Sequence, residues 1–108
     1  MSDAPAIHLL PDERRIVEAI LARHVPHIPV FVFGSRATGR RLKRWSDLDL
    51  AILSETPLPL GTLGDLREDF TESDLPWKVD LLDWASTSEH FRTLIAQDLR
   101  VLRPGCVA

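Results

Sequence analysis

A small mixed β-sheet with helices packed against it, an α/β (α+β) arrangement, is the fold the sequence predicts. Three short apolar runs rich in β-branched and aromatic residues stand apart from one another: "VFVF" at 30–33, "DLDLAIL" at 47–53 and "WKVDLLDW" at 77–84. Segments with apolar residues at helical spacing lie before, between and after them. Proline and glycine clusters mark the joints. With 108 residues the chain has room for one domain, spanning 1–108, and a three-stranded mixed sheet suits that length.

The first ten residues carry no periodic pattern and are expected to be flexible or extended. Pro11, Asp12 and Glu13 then read as a helix start, with proline in the first turn and acids near the positive end of the dipole. Ile16, Val17, Ile20, Leu21 and Val25 form one apolar stripe, and Pro26 and Pro29 close the helix. Val30 to Phe33 is a short buried strand that Gly34 ends. Asp47 to Leu53 is the second strand. Its acids alternate with leucines at first, and the remainder is wholly apolar.

Pro57, Pro59, Gly61 and Gly64 mark a loop, with a helical spacing of Leu63, Leu66 and Phe70 inside "GTLGDLREDFTES". Trp77 to Trp84 is the third strand. Ser86 and Glu89 make an S-x-x-E capping box ahead of Phe91, Leu94, Ile95 and Leu99, a last amphipathic helix whose stripe is expected in the core.

Bulk charge points away from nucleic acid: the formal net charge is −3 and the pI about 5.7. Five of the 13 Lys and Arg residues (Arg36, Arg40, Arg41, Lys43 and Arg44) nevertheless crowd into one loop. A local anion site is expected there, with no direct nucleic-acid partner. Cys106 has no partner in the chain, and His8, His24, His27 and His90 show no ligand spacing, so neither a disulfide nor a zinc site is expected. No apolar run approaches the roughly 18 residues of a membrane span, and no secretory leader pattern opens the chain. A cytoplasmic protein without a membrane partner is the expectation.

The chemistry concentrates in "FGSRATGRRLKRWSDLDLAIL". Residues two apart on a strand share a face, so Asp47 and Asp49 present two carboxylates side by side while Leu48 and Leu50 face the core. Neighbouring carboxylates raise each other's pKa, a conflict that a hard divalent cation removes. Asp80 is a third ligand if the third strand lies beside the second. Asp83, three positions on, faces the other way and is left out. Glycine at 34 lets the backbone approach an anion closely, the N–H groups that follow can bind phosphate, and the Ser35 hydroxyl adds a donor. Gly34 and Gly39 imitate the start of a P-loop. Arg40 and Arg41 then stand where that motif needs Lys followed by Ser or Thr, which rejects it.

In this combination the chain resembles the minimal nucleotidyltransferases of the DNA polymerase β type. Their signature is an apolar residue, glycine and serine, a spacer, D-x-D on the next strand and a third acid on a later one. The resemblance implies the polymerase β-type nucleotidyltransferase fold. It implies that Asp47, Asp49 and Asp80 are catalytic and hold two Mg2+ ions about 3.5–4 Å apart. Gly34 and Ser35, with Arg36 and Arg40, would bind the nucleotide, ATP. The spacer from Ser35 to Asp47 is one residue longer than usual, and Trp45 stands where small turn residues are commoner.

Short free-standing members of this family resemble the antitoxin half of a two-component system, in which AMP is added to a tyrosine of a small helical HEPN toxin encoded alongside. The resemblance therefore implies a Mg-dependent protein adenylyltransferase acting as antitoxin. Neutralisation of the partner by binding without essential catalysis is one alternative, and transfer to a small molecule another.

Overall fold

The computed structural model describes residues 7–105. Helix α1 runs Pro11–His24, strand β1 Val30–Phe33, the short helix α2 Ser35–Thr38, strand β2 Leu48–Ile52, helix α3 Leu60–Glu72 and strand β3 Val79–Asp83. Helix α4 (Glu89–Ile95) and strand β4 (Arg100–Arg103) follow, flanked by single 3-10 turns at Trp84–Ser86 and Ala96–Asp98.

The sheet has four strands in the order β3-β2-β1-β4, one more than the sequence predicts. β1 runs antiparallel to β2 and β4, while β2 and β3 are parallel, joined through α3. The parallel pair is what demands a helical crossover. The expected last helix is shorter than its apolar stripe: α4 stops at Ile95, a 3-10 turn follows at Ala96–Asp98, and the fourth strand begins just after Leu99. Its cap also differs. Ser88, not Ser86, caps α4 by accepting from the Phe91 N–H at 3.2 Å.

Alternation decides which face of the sheet is the core. Val30 and Val32 of β1 and Leu48, Leu50 and Ile52 of β2 are fully buried. They pack against Val17 and Leu21 of α1 and Leu63, Leu66 and Phe70 of α3. At about 25 cal/mol per Å² of apolar surface removed from water, this layer is the main stabilising contribution. α1 opens on Pro11, and Glu13 accepts the Leu10 N–H at 2.9 Å, filling a donor that the helix leaves over. At its other end Arg23 and His24 both reach Asp69 on α3, at 3.1 and 2.6 Å. The last helix departs from its expected burial: Ile95 is buried, but Phe91 and Leu94 are exposed.

Residues 7–10 are tied down. The His8 N–H donates to the Arg36 carbonyl at 2.7 Å, and Ile7 and Leu9 pack on the core. Residues 1–6 and 106–108, Cys106 among them, lie outside the described residues. No helix among the described residues is long and apolar enough to cross a membrane.

Candidate active site

The face of the sheet away from α1 and α3 carries the acids. β1 and β2 are paired so that Phe33 faces Asp49, which sets the Asp49 carboxylate beside Gly34. Gly34 has φ of 74°, a conformation that L side chains rarely adopt. A Cβ built on it would collide with the Asp49 carboxylate oxygen. Glycine is needed here twice over, for the turn and for the close approach.

The Gly34 carbonyl gathers the turn that follows. It accepts the N–H groups of Ala37 and Thr38, each at 3.1 Å, and the Thr38 hydroxyl at 3.3 Å. Gly39, left-handed at φ 76°, ends α2. Gly34 and Ser35 thus form a turn leading into a short helix directly after β1.

β2 and β3 are in register with Asp49 beside Asp80. The expectation that the third acid lies on a neighbouring strand is met by this parallel pairing. Burial pushes the Asp49 carboxyl up to about 6, helped by the charges of Asp80 and Asp47 and by a hydrogen bond with Asp80. A carboxyl raised by burial and by neighbouring negative charge is one that a nearby cation would return to its ionised form.

Asp47 sits differently from expectation. β2 begins at Leu48, so Asp47 lies just ahead of the strand and is exposed. Its charge reaches Asp49. As the side chains stand, no three of His, Cys, Asp and Glu among the described residues form a group able to hold a metal ion. Asp47 is exposed, while burial and the charges of Asp80 and Asp47 hold the Asp49 carboxyl above its ordinary range. The donor set is nonetheless all carboxylate oxygen beside a glycine cradle, which suits Mg2+ and not a soft metal.

Asp83 is engaged elsewhere, as its place in the alternation requires. It accepts the Leu58 N–H and the Ser86 hydroxyl, each at 3.0 Å. Beside Asp80, a groove of about 440 Å³ opens between α3 and β3, lined by Arg67, Phe70, Thr71, Trp77 and Lys78.

The basic residues divide. Arg40 pairs with Asp98 at 3.0 Å on the surface. Arg41 and Lys43 are exposed, and Arg44 lies over the exposed Trp45 ring, 5.1 Å from its centre. Arg36, expected to bind nucleotide, is instead only 5% exposed. Its guanidinium donates to the carbonyls of Ser46, His8 and Arg44 at 2.9, 2.9 and 3.2 Å. It also stacks 4.3 Å from the centre of the Trp77 ring. Desolvation lowers its pKa, opposed by the charges of Glu13 and Asp47. A fork spent on three carbonyls has little left for a phosphate. Nothing in the spacing of the sequence announces these partners, since all three are backbone groups.

A family profile described as "Nucleotidyltransferase domain" matches residues 14–103, from α1 through β4. The chain belongs to this family. The nucleotidyltransferase is 50% identical over 95 residues to the "Probable protein adenylyltransferase MntA" of Haemophilus influenzae, covering 88% of this chain and 82% of that one. Among solved structures it resembles a toxin-antitoxin crystallised with AMP-PNP, at a TM-score of 0.69 and 25% identity, over 84% of this chain and 73% of the other. A variant of the toxin-antitoxin MntA-HpeT superposes at a TM-score of 0.68 with 24% identity, over 89% and 74% of the two chains, a likeness of fold. The nucleotidyltransferase therefore has the fold expected of it, with β4 completing the sheet.

Proposed function

We propose that this nucleotidyltransferase is a protein adenylyltransferase and antitoxin, transferring AMP from ATP to a tyrosine hydroxyl of a helical HEPN-type toxin encoded nearby. The observation that carries the reading is Asp49 set between Gly34 and Asp80 on adjacent strands. Half-identity to the "Probable protein adenylyltransferase MntA" and likeness to toxin-antitoxin structures support it.

Asp47, Asp49 and Asp80 would hold Mg2+, two ions in the family's manner. Bound there, the metal would supply positive charge against the carboxylates and the phosphate oxygens. The Gly34–Ser35 turn would receive the phosphates through its N–H groups and the Ser35 hydroxyl. The acceptor hydroxyl gives its proton to the Asp80 carboxylate, and its oxygen forms a bond to the α-phosphorus. The bond from the α-phosphorus to the bridging oxygen breaks, and that oxygen leaves with pyrophosphate. Exposed Arg41 and Lys43 are free to screen the triphosphate.

Incubating the chain with α-labelled ATP, Mg2+ and the neighbouring gene's protein tests the proposal. Label on that partner, lost in Asp49→Asn, is expected. A stable complex without label would overturn it in favour of neutralisation by binding. The exposed Phe91 favours that second reading, since its ring meets Phe33 edge-on at 6.4 Å beside the acids. Protection by Asp47→Asn with Asp49→Asn equal to wild type would establish it.

A further inference from the structure

Arg36 ties together α2, the segment before β2 and the segment before β3. It belongs to α2, so its own backbone is part of the turn after Gly34. Its side chain holds Arg44 and Ser46, the latter being the residue before Asp47. Its flat face covers Trp77, which leads into the strand bearing Asp80. At that same place the Lys78 carbonyl accepts the Leu48 N–H at 2.9 Å, stitching the starts of β2 and β3 together. The fourth hold, on the His8 carbonyl, fixes the segment that lies across Gly39, where an added Cβ would come within 2.9 Å of the His8 ring.

We infer that Arg36 is a positioning residue for transfer: one buried guanidinium sets the spacing between the phosphate-binding turn and the carboxylates of Asp47 and Asp80. The inference rests on the transferase reading for its kinetic part and on the metal-binding carboxylates alone for the rest. Asp47 is the acid most dependent on it. It stands outside the hydrogen-bonded part of β2, one residue beyond a carbonyl that Arg36 holds. Lysine cannot replace this function, because an ammonium lacks the planar fork that spans three carbonyls and stacks on indole.

The experiment compares Arg36→Met, Arg36→Lys and Trp77→Phe with wild type in three measurements: Mn2+ binding by electron paramagnetic resonance, transfer kinetics, and thermal unfolding. Removing a group that orients metal ligands is expected to weaken Mn2+ binding about 10–100-fold in Arg36→Met. A displacement of about 1 Å in the reacting groups lowers kcat by about 100-fold, with KM for ATP changed far less. Arg36→Lys should stay close to Arg36→Met, and Trp77→Phe, which keeps every hydrogen bond, should lie between them and wild type.

A lowered melting temperature with Mn2+ affinity and kcat per folded molecule intact would show a purely structural residue and overturn the inference. So would a rise in KM with kcat unchanged, the mark of a phosphate ligand. Full recovery in Arg36→Lys would assign the effect to charge near Asp47 and also overturn it. If Arg36→Met does not fold, Arg36→Lys and Trp77→Phe decide on the same readouts. Wild type that binds Mn2+ but transfers nothing would sink the adenylyltransferase reading, while the Mn2+ series still judges Arg36.

Discussion

Asp49 and Asp80 stand side by side on parallel strands and share a hydrogen bond, the carboxyl of Asp49 being held up at about 6. At neutral pH this pair works against the fold. Strands β2 and β3 bring the two acids together whether or not their charges suit each other.

Replacing Asp49 with Asn should therefore stabilise the metal-free protein while abolishing transfer. The sign follows from linkage. A carboxyl whose folded pKa lies above its unfolded value of 3.8 binds protons more tightly when folded, so stability falls as pH rises from about 4 through about 6. Thermal melts should show Asp49→Asn above wild type at pH 7.5 and level with it near pH 4. Equal melting temperatures at pH 7.5 would contradict the account.

Gly34→Ala should be among the most damaging single changes in the chain. The new methyl meets the Asp49 carboxylate at a φ of 74°, so both contact and backbone oppose it. A loss above about 1 kcal/mol is expected, since alanine at positive φ costs more than the gain it brings elsewhere. Denaturant titration would measure it, and an unchanged midpoint would rule out the close approach.

Asp83 offers the opposite test. Removing its carboxylate in Asp83→Ala leaves the Leu58 N–H without its acceptor. Stability should drop by about 1–3 kcal/mol, the usual penalty for a part-buried donor left unpaired. Transfer per folded molecule should be unchanged. Loss of kcat out of proportion to unfolding would place Asp83 in the site after all.

At the far side of the molecule, the His24 hydrogen bond, joined by its charge and that of Arg23, holds the Asp69 carboxyl below its ordinary range. A depressed folded pKa adds stability that is present above the unfolded value and lost as pH falls through the folded one. Asp69→Asn should lower the melting temperature modestly at pH 6, and the difference should shrink below pH 4. A constant difference across that range would show that the contact between α1 and α3 does not depend on this charge.

Much of the molecule was legible in its residues, and the exceptions share a cause. "VFVF" and "DLDLAIL" announce strands because apolar β-branched and aromatic residues fill them, and alternation along β3 turns Asp83 away from Asp80, toward the Leu58 N–H and the Ser86 hydroxyl. β4 is hidden because Arg100 and Arg103 bracket only Val101 and Leu102, too short a run to show a period. The apolar spacing of Phe91, Leu94 and Ile95 shows a helix but not how little of it is covered, and only Ile95 is buried. Arg36 is the deeper case. An arginine in a basic loop reads as a phosphate ligand, and only the tertiary path of residues 8, 44 and 46 shows that its donors are already taken.

The order of strands also has a meaning in time. β1 is interior only because β4 pairs with it, and Val32 meets Arg100 about two thirds of the described chain later. On the ribosome, "VFVF" emerges long before its second neighbour is synthesised. Until then one side of that apolar strand is an open template for other chains. Premature termination after β3 but before Arg100 would thus yield more than an inactive fragment: it would leave an exposed edge prone to aggregation, and cells would be expected to clear such fragments quickly.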